Sequence, residues 1–193
     1  MTKRELILEE ALSEFCENDY KNASVNQIIA KAGSSKGTFY YYFKDKEDLY
    51  ITLVKEAFQK KMKVLSSIHT DDFFEFLMWQ AKSGIAFSKE YPRYYLLSRQ
   101  FAKEVGNPIF QRILGEVSGQ SGEDQFAKQL ERAYLNNQIH PDFPKEFVAK
   151  MVASLLDVLN DWNGKECMSI EQMEEKLLLI IQVLERGIRN AKD

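Results

Sequence analysis

Apolar residues recur along most of the chain at helical spacing, and the residues between them mark where one helix stops and the next begins. Leu8, Ala11, Leu12 and Phe15 fall at i, i+3, i+4 and i+7, which predicts an amphipathic helix opened by a Thr2 and Glu5 capping box and running to about Asn18. Val25, Ile28, Ile29 and Ala32 repeat that spacing over a shorter stretch, with Ser24 and Gln27 as a second capping box. Gly33 stops this helix in a backbone conformation that other residues resist. Ser34 or Ser35 then caps a third helix to about Tyr42 or Phe43, anchored by Phe39 and Phe43. Two short helices meeting at a glycine turn of about three residues have the layout of a helix-turn-helix. A fourth helix, capped by Asp45, carries Leu49, Leu53, Ala57 and Phe58 and extends to about residue 67.

Beyond Asp71 the same periodicity predicts helices near 71–88, 92–104, 108–118, 123–138, 145–163 and 169–190. Pro92 and Pro144 suit helix starts, Gly106-Asn107-Pro108 and the stretch from Gly119 to Gly122 interrupt the pattern, and Ser169 with Gln172 forms another capping box. No segment alternates with strand period, and no internal repeat is present. The expected fold is all-α, with an N-terminal three-helix helix-turn-helix domain over 1–46 and a C-terminal helical domain over 47–193, linked by a long helix from about 46 to 67.

The third helix has an unusual surface. Outside its two phenylalanines it offers Lys36, Gly37, Thr38, Tyr40, Tyr41 and Tyr42, and a glycine near a helix start costs about 1 kcal/mol against alanine. Close approach by a DNA backbone or base edge is a reason to keep it. The chain is net −3, yet between Tyr20 and Lys46 it holds five lysines (Lys21, Lys31, Lys36, Lys44, Lys46) and one acid, Asp45. Positive charge is therefore local, as a phosphate-binding surface requires.

Other chemistry finds little footing. With 193 residues and 45% hydrophobic content the chain can bury a substantial core, but no run of 18 apolar residues spans a bilayer. Met1 to Glu10 alternates charge with leucine and isoleucine, unlike a secretory leader, so a cytoplasmic protein without a membrane partner is expected. Cys16 and Cys167 read as reduced thiols, and His69 and His140 as surface histidines without metal-ligand spacing. Gly115, Ser118, Gly119 and Ser121 imitate a nucleophile elbow without a preceding strand. Gly33-Ser-Ser-Lys-Gly-Thr reverses the Gly-Lys order of a phosphate loop and follows a helix. No enzyme, metal or cofactor is expected.

The run AGSSKGTFYYYFKDKEDL closely resembles the recognition-helix signature of the TetR family of bacterial transcriptional regulators, and the resemblance covers about Leu6 to Leu53. It departs from the pattern at Ser34, where the family usually has an apolar residue. The resemblance implies a homodimeric, ligand-responsive repressor of double-stranded operator DNA. Its DNA-binding residues would be Ser24, Val25, Asn26, Ser35, Lys36, Gly37, Thr38, Tyr40, Tyr41, Tyr42 and Lys46. It also implies a small-molecule pocket in the aromatic-rich middle of the chain, for which Trp79, Gln80, Tyr95, Arg99, Gln100, Phe110 and Trp162 suit a hydrophobic or aromatic ligand. The last two helices carry more apolar residues than one stripe can bury, so Met151, Leu155, Leu159, Leu177, Ile181, Leu184 and Ile188 are expected at a dimer interface. The alternative is a ligand-independent DNA-binding regulator of chromosome organisation or cell division.

Overall fold

The computed structural model describes residues 1–64, 70–103, 108–117, 122–166 and 169–190, apart from the side chains of 103, 108–109, 114, 116–117, 122–124, 156–166 and 170. The expected extension of the fourth helix to 67, His69, the breaks at Gly106-Asn107 and Gly119, Cys167, and the side chains of Leu159 and Trp162 lie outside the described residues.

Among the described residues ten helices follow in order: α1 (Lys3–Glu17), α2 (Val25–Lys31), α3 (Lys36–Tyr42), α4 (Lys46–Val64), α5 (Phe73–Glu90), α6 (Pro92–Lys103), α7 (Pro108–Val117), α8 (Gly122–Leu135), α9 (Lys145–Glu166) and α10 (Ile170–Ile188). Their ends follow local chemistry. The Thr2 hydroxyl accepts the Glu5 N–H at 3.2 Å and the Glu5 carboxylate accepts the Thr2 N–H at 2.8 Å, closing the capping box of α1. Ser169 and Gln172 close the same box on α10. Before α4, Asp45 accepts the Asp48 N–H at 2.8 Å while Asp48 accepts the Lys44 N–H at 3.0 Å, so two short acids satisfy donors on either side of the helix start.

The chain forms two compact units and passes between them three times, once inside α5. The first comprises Met1–Val64 and Phe87–Gly119. Ile7, Phe15, Ile28, Phe39, Leu49 and Leu53 are fully buried in its core, and α6 and α7 add Leu97 and Ile113. Polar contacts tie α6 to the helices that carry the reader. Arg93 pairs with Glu9 at 2.9 Å, the Cys16 thiol donates to the Arg93 carbonyl at 3.2 Å, and the Gln100 amide donates to the Cys16 carbonyl at 3.0 Å. The Tyr94 hydroxyl donates to Glu56 of α4 at 2.9 Å; burial first, and that carboxylate second, push its pKa far above the ordinary tyrosine value. Arg112 of α7 pairs with Glu47 at the start of α4.

The second unit comprises Leu65–Ala86 and Gln120–Asp193. Phe73, Phe74, Phe76, Val148, Ile181, Leu184 and Ile188 are buried in its core. The end of α10 is tied to the start of α5. Arg189 makes a two-pronged ion pair with Asp72 at 2.9 and 3.0 Å and lies over the Phe74 ring at 4.5 Å. An isolated antiparallel bridge joins Ile139 to Arg189, and the Gln138 side chain reaches the Phe73 N–H and the Asp71 carbonyl.

Candidate nucleic-acid interface

The two reader helices are held by the core of the first unit on one side and open on the other. Ile28, Ile29 and Ala32 of the α2 segment and Phe39 of α3 are buried, with Phe43 just beyond, and Arg4 lies over the Phe43 ring at 5.5 Å. Gly33 takes φ +54°, a conformation that strains other residues. The Gly33 N–H then reaches the Ala30 carbonyl at 3.1 Å and the Ser34 N–H the Ile29 carbonyl at 3.0 Å, the paired bonds of a Schellman turn. Lys3 donates to the Gly33 carbonyl at 3.0 Å, so α1 also holds the corner.

Ser35, not Ser34, caps α3: its hydroxyl accepts the Thr38 N–H at 3.0 Å and lies 2.9 Å from the Thr38 hydroxyl. The Ser34 hydroxyl is buried without a hydrogen-bond partner, at the position where the family pattern has an apolar residue. Gly37 is exposed, and a Cβ added there would meet only the Ser35 hydroxyl at 3.8 Å, an ordinary contact. Beside it Lys36 is exposed, Tyr40 and Tyr41 stand 60% and 81% exposed, and Tyr42 is at 36%.

The remaining expected contacts are placed unequally. Asn26 is exposed and Ser24 and Thr38 half-buried, but Val25 packs against the core. Lys46 is half-buried: its ammonium donates to the carbonyls of Lys21 at 3.2 Å and Ala23 at 2.9 Å and lies over the Tyr20 ring at 4.9 Å. Burial lowers its pKa, against the opposing pull of Asp19 and Glu14. The α2 capping box closes on one side only. The Ser24 hydroxyl accepts the Gln27 N–H at 3.4 Å, but the Ser24 N–H goes to Glu14 at 3.0 Å. Spacing alone gave no sign of Glu14, although its position three residues after Ala11 and seven after Ile7 puts a charge on an apolar stripe.

Of the expected ligand residues, Tyr95, Arg99, Gln100 and Phe110 belong to the first unit and Trp79 and Gln80 to the second. All are half-buried. Arg99 lies 6.0 Å from the Tyr95 ring, the Phe110 ring is tilted against that of Phe101 at 4.6 Å, and the Gln100 side-chain oxygen is buried without a hydrogen-bond partner. Of the expected interface residues, Ile181, Leu184 and Ile188 are buried in their own unit and Met151, Leu155 and Leu177 are half-buried; on the opposite side of α10, Leu179 and Val183 are 53% and 70% exposed. Among the described residues no group of three or more histidines, cysteines or acids is arranged to hold a metal, and no helix is long and apolar enough to cross a membrane.

Two short helices around a left-handed glycine, braced by a third and followed by helices through the rest of the described residues, define a helix-turn-helix protein. Residues 7–53 match the family described as bacterial regulatory proteins, tetR family. The chain is 25% identical over 156 residues to the HTH-type transcriptional repressor AcnR of Corynebacterium glutamicum, covering 80% of this chain and 78% of that one. It is 44% identical over 50 residues to the fatty acid metabolism regulator protein of Bacillus subtilis, and that match spans only 26% of either chain. A crystal structure of a TetR family transcriptional regulator from Chloroflexus aurantiacus superposes with a TM-score of 0.76 at 25% identity, covering 98% of this chain and 94% of that one. Residues 7–53 thus carry a tetR-family domain, and the chain as a whole is similar in fold to a TetR family regulator.

Proposed function

We propose that this chain is a transcriptional repressor that binds double-stranded operator DNA as a homodimer and is released by a small hydrophobic or aromatic molecule. Residues 1–46 serve as its DNA-binding domain and 47–193 as its ligand-binding and dimerisation domain; it acts by binding, not as an enzyme, in the cytoplasm. Gly37 carries the reading. The protein leaves ordinary room for a side chain there, so the absence of one is explained by a surface outside the fold. Lys36, Tyr40 and Tyr41 stand exposed around it, the residue types that meet phosphates and base edges.

The match of residues 7–53 to a family of bacterial regulators supports DNA binding, and the similarity to the repressor AcnR supports the sign of the response. Release by a ligand is supported by α6, which carries Tyr95, Arg99 and Gln100 and bonds to α1 and α4 through Arg93, Tyr94 and Gln100. A ligand that moved α6 would pull directly on the reader's supports, and the unpartnered Gln100 oxygen is an acceptor for a ligand donor group. Dimerisation is supported by the exposed Leu179 and Val183 on α10 and Phe147 on α9. Ile181, Leu184 and Ile188 would support that face from behind.

Selection of duplexes from a random-sequence pool tests the reading. A dimer reading successive major grooves should return a near-palindrome with half-sites one helical turn, roughly 34 to 36 Å, or a multiple apart. Recovery of unrelated sequences without half-site symmetry would contradict it.

A further inference from the structure

Three helices of this chain open on the pattern Ser or Thr followed three residues later by Glu or Gln, and they do not end up alike. Thr2 with Glu5 and Ser169 with Gln172 each close a full capping box, the third side chain reaching back to the N-cap N–H. At α2 Ser24 keeps its half, but Gln27 does not reach back.

A backbone N–H is one donor, and that of Ser24 is already taken by the Glu14 carboxylate at 3.0 Å. Glu14 is 1% exposed, and a carboxylate buried to that degree needs hydrogen-bond partners on both oxygens. One oxygen takes the Ser24 N–H and the Asn18 amide at 3.3 Å, while the other takes the Lys31 ammonium at 3.4 Å. The acid thus grips α2 at its N-cap and in its last turn. The loop leading into α2 is fixed separately by Lys46, through the Lys21 and Ala23 carbonyls.

We propose that Glu14 is a positioning residue for DNA recognition: it takes the capping role that Gln27 would fill, pins α2 to α1, and leaves the Gln27 amide on the surface as a further DNA contact. Gln27 is exposed, and among the described residues its side chain makes no hydrogen bond. It lies three residues from Ser24, so both polar groups share one side of the helix that, in a helix-turn-helix, crosses the DNA backbone. A side-chain amide offers two donors to phosphate oxygens without adding charge. This inference rests on the DNA-binding reading.

The test measures affinity and melting temperature of the full chain, with the duplex that the unaltered protein selects from a random pool. Gln27→Ala should lower affinity about 5-fold, the worth of one ordinary hydrogen bond, with the melting temperature unchanged. In a Glu14→Leu background the Ser24 N–H loses its partner and Gln27 turns back to complete the box. Adding Gln27→Ala there should lower the melting temperature and leave affinity where Glu14→Leu put it. Glu14→Gln keeps an acceptor for the Ser24 N–H, so in that background Gln27→Ala should again cost about 5-fold in affinity and nothing in melting temperature. This arm decides even if Glu14→Leu does not fold. Wild-type affinity in Gln27→Ala, a lowered melting temperature in that single variant, or equal affinity losses in the unaltered and Glu14→Leu backgrounds would overturn the proposal. A chain that selects no duplex at all would remove the DNA-binding reading with it.

Discussion

Gly37→Ala should make α3 more stable and the protein a poorer DNA binder. Helix propensity favours alanine by about 1 kcal/mol, and the nearest atom to the new Cβ is the Ser35 hydroxyl at 3.8 Å, so no internal clash offsets the gain. A methyl group on the face that approaches DNA should weaken duplex binding by about 10-fold or more, a loss of ~1.4 kcal/mol. Thermal melting and duplex titration of the same variant check both signs, and a variant with unchanged affinity would take Gly37 off the DNA surface. At this scale, legibility followed distance along the chain. The left-handed Gly33 and the buried Phe39 and Phe43 could be read because their causes are local. Glu14 was hidden because its partners Ser24 and Lys31 lie 10 and 17 residues on and meet it only after α1 and α2 pack. Lys46 was legible as a positive charge but not as one engaged by the Lys21 and Ala23 carbonyls.

Helices were read more completely than their fastenings. The Thr2 and Ser169 boxes, the Asp45 cap and the proline starts all operate within one turn, so the pattern of residues contains them. The ion pair between Asp72 and Arg189 joins positions 117 apart, and no local signal announces it. Burial raises the Asp72 pKa, but the Arg189 guanidinium and the N–H groups of Glu75 and Phe74 outweigh it and hold the carboxyl below its ordinary value. A carboxyl with a depressed folded pKa contributes stability that is present above its unfolded value near ~3.9 and is lost as pH falls through the lower folded value. Arg189→Met should therefore cost about 2 kcal/mol at neutral pH and flatten the loss of stability below about pH 4. Urea unfolding at a series of pH values measures both. A variant as steep in acid as the wild type would show that the pair does not contribute to the acid transition.

For the molecule as a whole, the pattern put more apolar residues on the last helices than one stripe can bury and placed Ile181, Leu184 and Ile188 at an interface. These three are instead buried in their own unit, and Leu179 and Val183 stay outside. Which side stays outside depends on the rotation of α10 about its axis, which the burial of Ile181, Leu184 and Ile188 in the core shared with α5, α8 and α9 sets. Val183→Glu, at a side chain 70% exposed, should give a folded monomer with much reduced operator affinity. Leu184→Glu, at 6% exposure, should unfold the second unit, because it buries a charge without a partner. Sedimentation and circular dichroism separate the two outcomes, and a dimeric Val183→Glu protein would move the interface elsewhere. The central claim is that the exposed face of α3 meets DNA phosphates and bases. Its most direct test is the salt dependence of affinity for the selected duplex. The unaltered protein should lose affinity steeply as salt rises, and Lys36→Ala should lower the slope of log affinity against log salt by about 1 per subunit while relaxing preference at one position in each half-site. An identical slope and an identical preference in Lys36→Ala would contradict it.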